Sequence, residues 1–433
     1  MIDLTRRLPA SSFTYRDGML HCEGVSLAAI AKEVGTPFYC YSAGRLRERY
    51  RALDAALGPI GVKIHFAMKA NGNQAVLRLF ASEGAGTDIV SGGEMARSLA
   101  AGIAPEKIIF SGVGKTSAEI EAALAAGIHQ INVESFEELR VVDALAEKRG
   151  ITADVVLRIN PNVDAGTHAK ITTGKKDNKF GIDVERLSRL DNELKALRHV
   201  RVVGIASHIG SQIMRAAPLV ATYTRMREVA DQLKARGLPI TRVDLGGGFG
   251  VPDTDQTELT PGDIAGAIST TLSGAGYDLA VEPGRTLVAD AGILVAGVTY
   301  VKNAGHMQFA VLDAAMNDLV RQAMYDAHHD IVPVREPSAD AARIDYDVVG
   351  PICESSDTFA KHLTLPELAA GDLVVFATAG AYGATMSSTY NARDLVPEVL
   401  VDGDRWAVVR RRVTVAEQIG WDHVPEWLED GVA

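Results

Sequence analysis

A chain of 433 residues exceeds what one ordinary hydrophobic core sustains, so two domains are expected. Its 47% hydrophobic and 23% charged residues are the balance of a folded globular protein, which excludes a disordered or fibrous chain. The net charge of −11 comes with no basic tract and argues against nucleic acid as a partner.

In chain order, SFTYRDGMLHCEGVSL (12–27) reads as a small hairpin with Asp17-Gly18 as its turn. From about residue 35 to 285, short apolar runs alternate with amphipathic stretches of helical period. The expected strands are KIHFAMK (63–69), GTDIV (86–90), KIIFS (107–111) and QINVES (130–135), followed by VVLRIN (155–160), VVGIASHIGS (202–211), RVDLGGG (242–248) and LAVEPGR (279–285). Between them lie helical stretches such as GGEMARSLAAG (92–102), SAEIEAALAAG (117–127), FEELRVVDALAEKRG (136–150) and TYTRMREVADQLKARG (222–237), each closed by a glycine stop. Eight strand–helix units in series predict a parallel sheet, and eight is the number that closes a (β/α)8 TIM barrel.

Beyond residue 286 the texture changes. ILVAGVTYVKN, MQFAVLDA, DYDVVGPI, DLVVFATAG and WAVVRRRVTV are short, valine-rich and split by turns, which predicts an all-β domain. The N-terminal hairpin is expected to join it. The division is therefore a barrel over 35–285 and a β domain built from 1–34 and 286–433. Three cysteines (Cys22, Cys40, Cys353) are too few for a disulfide framework and suit a reducing compartment. MIDLTRRLPASS has no apolar signal core, and no apolar run nears the roughly 20 residues that span a bilayer, so a cytoplasmic protein is expected.

Lys69, Asp88, Ser111, Glu134, Arg158, His208, Gly246 to Gly248 and Glu282 all fall at or just past the C-terminal ends of their runs. In a barrel those ends converge on the face that carries chemistry. Three other motifs fail. GKT (114–116) lacks the P-loop's first glycine, because Ile109 stands there. GGGFG (246–250) breaks the dinucleotide fingerprint at Val251 or Asp253. The adjacent His328 and His329 are badly spaced for a metal, and none is expected.

What remains is a lysine, a histidine, a glycine turn and EPGR on different strand ends. Together they call for a ligand that needs an amine, a flat neighbour, a phosphate cradle and an acid. Pyridoxal 5′-phosphate has all four demands. Barrels commonly hold phosphate at the loops after strands seven and eight, where GGGFG and EPGR lie.

On FAMKAN (66–71), GTDIVSGGE (86–94), KFGID (179–183), HIGSQI (208–213), DLGGGFG (244–250), EPGR (282–285), MNDLVRQAMYDAHH (316–329), CESSDTF (353–359) and GAYGATMSSTYN (380–391), the chain resembles the fold-type III pyridoxal-phosphate decarboxylases, and within them the branch acting on diaminopimelate. The resemblance spans nearly the whole chain. It implies a homodimer with shared active sites and decarboxylation of meso-2,6-diaminopimelate to L-lysine, the last step of lysine biosynthesis. By that resemblance Lys69 would carry the cofactor as a Schiff base and His208 would stack on its ring. Ser211, Gly246, Gly247, Gly248, Gly284 and Arg285 would lie around the phosphate, Glu282 would face the ring nitrogen, and Tyr382 would close the cofactor site. Arg285, Arg321, Tyr325, Glu354 and Tyr382 would bind substrate. Cys353 would return a proton to the product, with Cys353 and Glu354 donated by the second subunit. Asp88 and Arg158 would be supports. Ser355-Ser356 and Gln322 depart from the family's usual glycine and proline.

Chemistry agrees. A buried acid at the ring nitrogen favours its protonated form and hence an electron sink. Arginines opposite Glu354 would suit a distal centre with both a carboxylate and an ammonium. The alternatives are decarboxylation of ornithine, lysine or arginine, and a non-catalytic pyridoxal-phosphate carrier, which would lack the β domain.

Overall fold

The computed structural model describes residues 8–163, 179–253 and 256–429. It divides into two compact units, Ala43–Ala291 and Met1–Ser42 with Gly292–Ala433. The division falls at 42/43 and 291/292, where the sequence reading put it at 34/35 and 285/286.

The first unit is a closed parallel barrel. Its strands are β1 (Val62–Ala67), β2 (Gly86–Ile89), β3 (Ile108–Phe110), β4 (Gln130–Val133), β5 (Ala153–Asn160), β6 (Val200–Ala206), β7 (Arg242–Asp244) and β8 (Asp278–Val281). Each pairs in parallel with the next, and β8 returns to β1 through Leu279 opposite Val62. All eight expected strands are present, but most stop short of the expected end because their last residues turn into the loops that carry the polar side chains.

In β1 the alternation holds. Phe66 packs on Phe80 of the helix Gln74–Glu83, with ring centroids 4.7 Å apart. His65 faces the other way, with Nδ1 3.0 Å from the Lys107 carbonyl and its ring stacked on His129. The expected strand ran to residue 69. It ends at Ala67, whose N–H bonds the Pro283 carbonyl, and Met68–Ala70 form a single 3-10 turn that lifts Lys69 out of the ladder. Asn73 then caps the next helix through the Ala75 N–H.

Helix caps also tie the loops on this face. Ser91, Thr116 and Ser135 each accept from the backbone three residues on. The carboxylates of Glu94, Glu119 and Glu138 reach the N–H groups of Val90, Gly92 and Glu134 at 2.7–2.8 Å.

The second unit is built on a nine-stranded mixed sheet. At its centre lies Phe38–Ser42, buried along its whole length, antiparallel to Gly292–Asn303 and parallel to Glu398–Asp402. The reading placed this segment with the barrel. FYCYS is covered on both faces, so it shows no alternation from which a strand could be read. The hairpin forms as expected: Arg16 pairs with Met19, leaving Asp17 and Gly18 at φ 50° and 72°. It belongs to its own three-stranded sheet and reaches its neighbours by the Leu20 N–H to the Val334 carbonyl, 2.7 Å. Leu20, Leu27 and Ile30 share a core with Ile293, Val295, Val375 and Val399. Each such buried side chain contributes roughly 1.5–3 kcal/mol. Among the described residues no helix is long and apolar enough to cross a membrane.

Candidate active site

On the barrel unit, Lys69 Nζ lies 2.9 Å from Asp88 Oδ2 at the end of β2. The Asp88 side chain is fully buried, and its other oxygen, Oδ1, has no hydrogen-bond partner among the described residues. Three elements therefore present an ammonium beside a desolvated carboxylate: the strand end, the 3-10 turn and β2.

Glu282, one residue past β8, is buried among other acids. Burial first, then the nearby Asp244 and Asp88, push its carboxyl pKa well above the ordinary value, with Lys69 opposing. Asp244, the last residue of β7, is raised to about 6 by burial, although its hydrogen bonds with Glu282 and the Gly246 N–H pull it down. Buried side by side, both carboxyls hold their protons more tightly than free ones do. Polar side chains from the neighbouring strands complete the group: Asn132 Nδ2 reaches Asp244 Oδ2 at 3.3 Å and Glu282 Oε1 at 3.4 Å. Ser111 Oγ reaches Glu282 Oε1 at 3.4 Å, and Gln130 Nε2 reaches Asp244 Oδ2 at 3.2 Å.

His208 follows β6. Burial, then the charges of Lys69 and Arg158, hold its pKa well below the usual imidazole value, so the ring is neutral. The Gly247 N–H donates to Nδ1 at 3.3 Å, which leaves the ring proton on Nε2. Gly246 and Gly248 adopt φ +67° and +90°. A Cβ on Gly246, Gly247 or Gly248 would stand 2.1, 1.9 or 2.0 Å from the carbonyls of Ser207, Glu282 and Gly210, so the turn can be made only of glycine. This packing locks the glycine turn against both the histidine and the glutamate. Ser211 Oγ accepts from Arg285 Nη2 at 3.2 Å, and Gly284 stands at the start of the short helix Arg285–Val288. Arg158 pairs with Glu134 at 2.6 Å, and Glu134 also receives the N–H groups of Gly112 and Gly181. Through these contacts Glu134 ties three loops together, with Arg158 as its ion-pair partner.

The donor set fits pyridoxal phosphate. It offers an amine, a neutral ring, a glycine turn at the end of β7 and a buried carboxyl whose pKa is pushed up, while Asp88 Oδ1 and Ser207 Oγ are buried without a hydrogen-bond partner among the described residues.

On the β unit, Arg321 is 8% exposed and so does not lie on an exposed helix face; Tyr325, four residues on, is half-buried. Cys353 and Glu354 are both exposed. The Cys353 N–H bonds Asn391 Oδ1 at 3.1 Å, while Glu354 accepts from Tyr390 Oη and, at 3.0 Å, from Ser356 Oγ. Beneath them the buried Asp357 receives the N–H groups of Met316 and Ile352, each at 2.7 Å. Tyr382 holds φ 55°, the left-handed region that a tyrosine seldom occupies.

Sequence reasoning missed Gln130, Asn132 and Asp244 as site members, and Tyr390 and Asn391 as holders of the cysteine loop. Asn132 and Gln130 alternate along one strand with apolar neighbours, QINV, a pattern that does mark them as inward-facing.

A barrel presenting an amine, a neutral imidazole and a buried acid at its strand ends is the pyridoxal-binding unit of a pyridoxal-dependent decarboxylase, and residues 43–289 match the family model described as "Pyridoxal-dependent decarboxylase, pyridoxal binding domain". The chain is 47% identical over 406 residues to the diaminopimelate decarboxylase of Pseudomonas aeruginosa, covering 94% of this chain and 97% of that one. It is 45% identical over 421 residues to that of Zymomonas mobilis, covering 96% and 99%. A crystal structure of diaminopimelate decarboxylase from M. jannaschii in co-complex with L-lysine superposes with a TM-score of 0.91 at 35% identity, over 97% of this chain and 100% of that one. The chain belongs to the diaminopimelate decarboxylase family.

Proposed function

We propose that the chain decarboxylates meso-2,6-diaminopimelate to L-lysine with pyridoxal 5′-phosphate as cofactor. The single observation that carries this is geometric: one barrel presents at its strand ends both Lys69, 2.9 Å from the buried Asp88, and the buried carboxyl of Glu282. Full-length similarity to diaminopimelate decarboxylases supports the substrate over ornithine, lysine or arginine.

When bound, pyridoxal phosphate supplies the electron sink for the pair released as the bond from Cα to the carboxylate breaks. The protein's part follows from its residues. Lys69 offers the amine for attachment, and Asp88 holds that amine in place. Glu282 would supply a proton toward the ring nitrogen, and the negative charge left on its carboxylate would be held by the Asn132 amide and the Ser111 hydroxyl. His208, neutral and fixed by the Gly247 N–H, gives a flat face without adding charge. The Gly246–Gly248 turn, Ser211, Gly284 and Arg285 are assigned to the phosphate side.

The proposed roles on the β unit follow from residue chemistry. Arg321, Tyr325 and Tyr382 read carboxylate and polar groups of the substrate, and Glu354 reads its distal ammonium; on the barrel unit Arg285 is assigned to the substrate as well. Cys353 donates the proton that replaces CO2 on the carbon. An exposed cysteine with an exposed glutamate beside it supports their use by a second copy of the chain, in a homodimer with shared sites. We assign the enzyme to the cytoplasm, where its cysteines stay reduced.

The experiment is CO2 release from meso-diaminopimelate against ornithine, lysine and arginine. Turnover of diaminopimelate at least a hundredfold above the others is expected. Preference for a substrate without a second carboxylate would overturn the assignment.

A further inference from the structure

His329 was set aside above because a pair of adjacent histidines suits no metal; its surroundings give it another use. It is 4% exposed, and both ring nitrogens are engaged. Nε2 lies 3.0 Å from Arg321 Nη1, and Nδ1 lies 2.8 Å from the Ala377 carbonyl. A guanidinium can only donate and a carbonyl can only accept. The ring is therefore neutral, with its proton on Nδ1 and its lone pair on Nε2 turned to Arg321.

The chain path brings the pair together. The short helix Arg321–Tyr325 ends at Asp326, whose left-handed conformation (φ 54°) sends its N–H back to the Gln322 carbonyl while the Ala327 N–H returns to that of Arg321. The reversal carries residue 329 alongside residue 321. The chain then enters Ile331–Pro333, which pairs antiparallel with Leu373–Phe376, and the Ala377 N–H bonds the Asp330 carbonyl. Ala377 thus holds Asp330 by its N–H and His329 by its carbonyl. His329 is anchored to a sheet on one side and to a guanidinium on the other.

We propose that His329 is a positioning residue for substrate selection: it fixes the Arg321 fork, through an acceptor that brings no opposing charge, for the carboxylate at the distal end of the substrate. A carboxylate in its place would orient Arg321 equally well but would compete with the ligand for its charge. The proposal rests on the reading of Arg321 as the reader of the distal carboxylate.

The test uses the pyridoxal-phosphate-loaded enzyme and two ligands that differ by that one group. L-Lysine keeps a carboxylate at the distal end, and 1,5-diaminopentane has none. Dissociation constants are measured by calorimetry alongside the KM for meso-diaminopimelate. His329→Asn keeps a donor for Ala377, and hence the sheet anchor, but loses the acceptor at Arg321. His329→Gln places an amide oxygen near the Nε2 position and restores that acceptor. Expected for His329→Asn is a rise of about tenfold in the KM and in the L-lysine constant, with the 1,5-diaminopentane constant within about twofold of the parent. His329→Gln should recover most of the L-lysine affinity. Equal weakening of both ligands, or an unchanged L-lysine constant in His329→Asn, overturns the proposal, as does a His329→Gln protein no better than His329→Asn. Arg321→Met is the control. If it leaves the preference for L-lysine over 1,5-diaminopentane intact, the reading of Arg321 falls and the proposal with it. If Arg321→Met abolishes the preference while His329→Asn does not, only the proposal falls.

Discussion

Lys69 and Asp88 face each other at 2.9 Å, the lysine side chain 35% exposed and the aspartate fully buried. The carboxylate has left water for one ammonium, and that ammonium is also the amine assigned to the cofactor.

Lys69→Ala and Lys69→Arg separate the two roles. Both should lack the visible absorbance of attached cofactor, and turnover should fall roughly a thousandfold or more. Lys69→Arg keeps a cation for Asp88 and should melt near the parent. Lys69→Ala strands a buried carboxylate and should lose about 2 kcal/mol, less than a fully buried pair would because Lys69 is partly solvated. Spectra and thermal melts of the cofactor-free proteins check both. A visible band in either variant would move the anchoring amine elsewhere.

The two acids of the barrel predict an unusual pH response. Asp244 titrates at about 6 and Glu282 well above its ordinary value, so the folded chain keeps protons that the unfolded chain releases from about pH 4 upward. Their stability contribution is complete below that pH and is lost as pH rises through the folded values. Asp244→Asn removes one such group. The cofactor-free variant should therefore gain on the parent between pH 4 and 7, on the order of 3 kcal/mol for the shift of Asp244 alone. Melting both proteins at pH 4.5 and 7.5 tests the sign, and a gap that does not widen with pH would contradict it.

Asp290 should behave in the opposite way. Burial pushes its carboxyl up, but hydrogen bonds and charge from Arg49 and Arg45 outweigh that and hold it below the usual range. Arg45 Nη2 lies 2.6 Å from Oδ2, and Arg49 Nε 3.1 Å from Oδ1. A depressed pKa stabilises the fold above the ordinary carboxylate range and is lost on acidification through the folded value. Asp290→Ala leaves two half-buried guanidinium groups to their remaining partners, Glu48 for Arg45 and Glu258 for Arg49, with an expected loss of about 2–3 kcal/mol. Denaturant titration at pH 7 measures it; a loss under 1 kcal/mol would show that the pair does little for stability.

Cys353→Ala should fold and hold cofactor normally, because the thiol is exposed and no core packing goes with it. Loss of a proton donor should lower turnover by about 10²–10⁴. Mixed under conditions of subunit exchange with Lys69→Ala protein, it should regain up to about a quarter of parent activity, since half of the dimers would carry one intact site. No recovery in a mixture shown to exchange would rule out sharing of the sites between subunits.

Strand count, helix stops and the placement of Lys69, Asp88, His208 and Glu282 at strand ends were all legible in the chain, because barrel periodicity and glycine punctuation are local signals. Phe38–Ser42 was not legible. A strand buried on both faces has no alternation, and its partners lie some 250 and 360 residues away, at Gly292–Asn303 and Glu398–Asp402. The surroundings of His329 were not legible for a related reason, since its partners Arg321 and Ala377 meet only after a left-handed turn at Asp326 reverses the chain.

By itself the sequence determined which residue types stand at the mouth of the barrel, since each is set by its distance from a strand or helix end. Tertiary structure decided their chemical states. The raised pKa of Glu282, the Nε2–H tautomer of His208 and the acceptor that His329 turns to Arg321 all depend on which dipoles and charges come within about 3 Å once the solvent is gone. Desolvation is a property of the closed barrel and the packed sheet, and no stretch of sequence carries it.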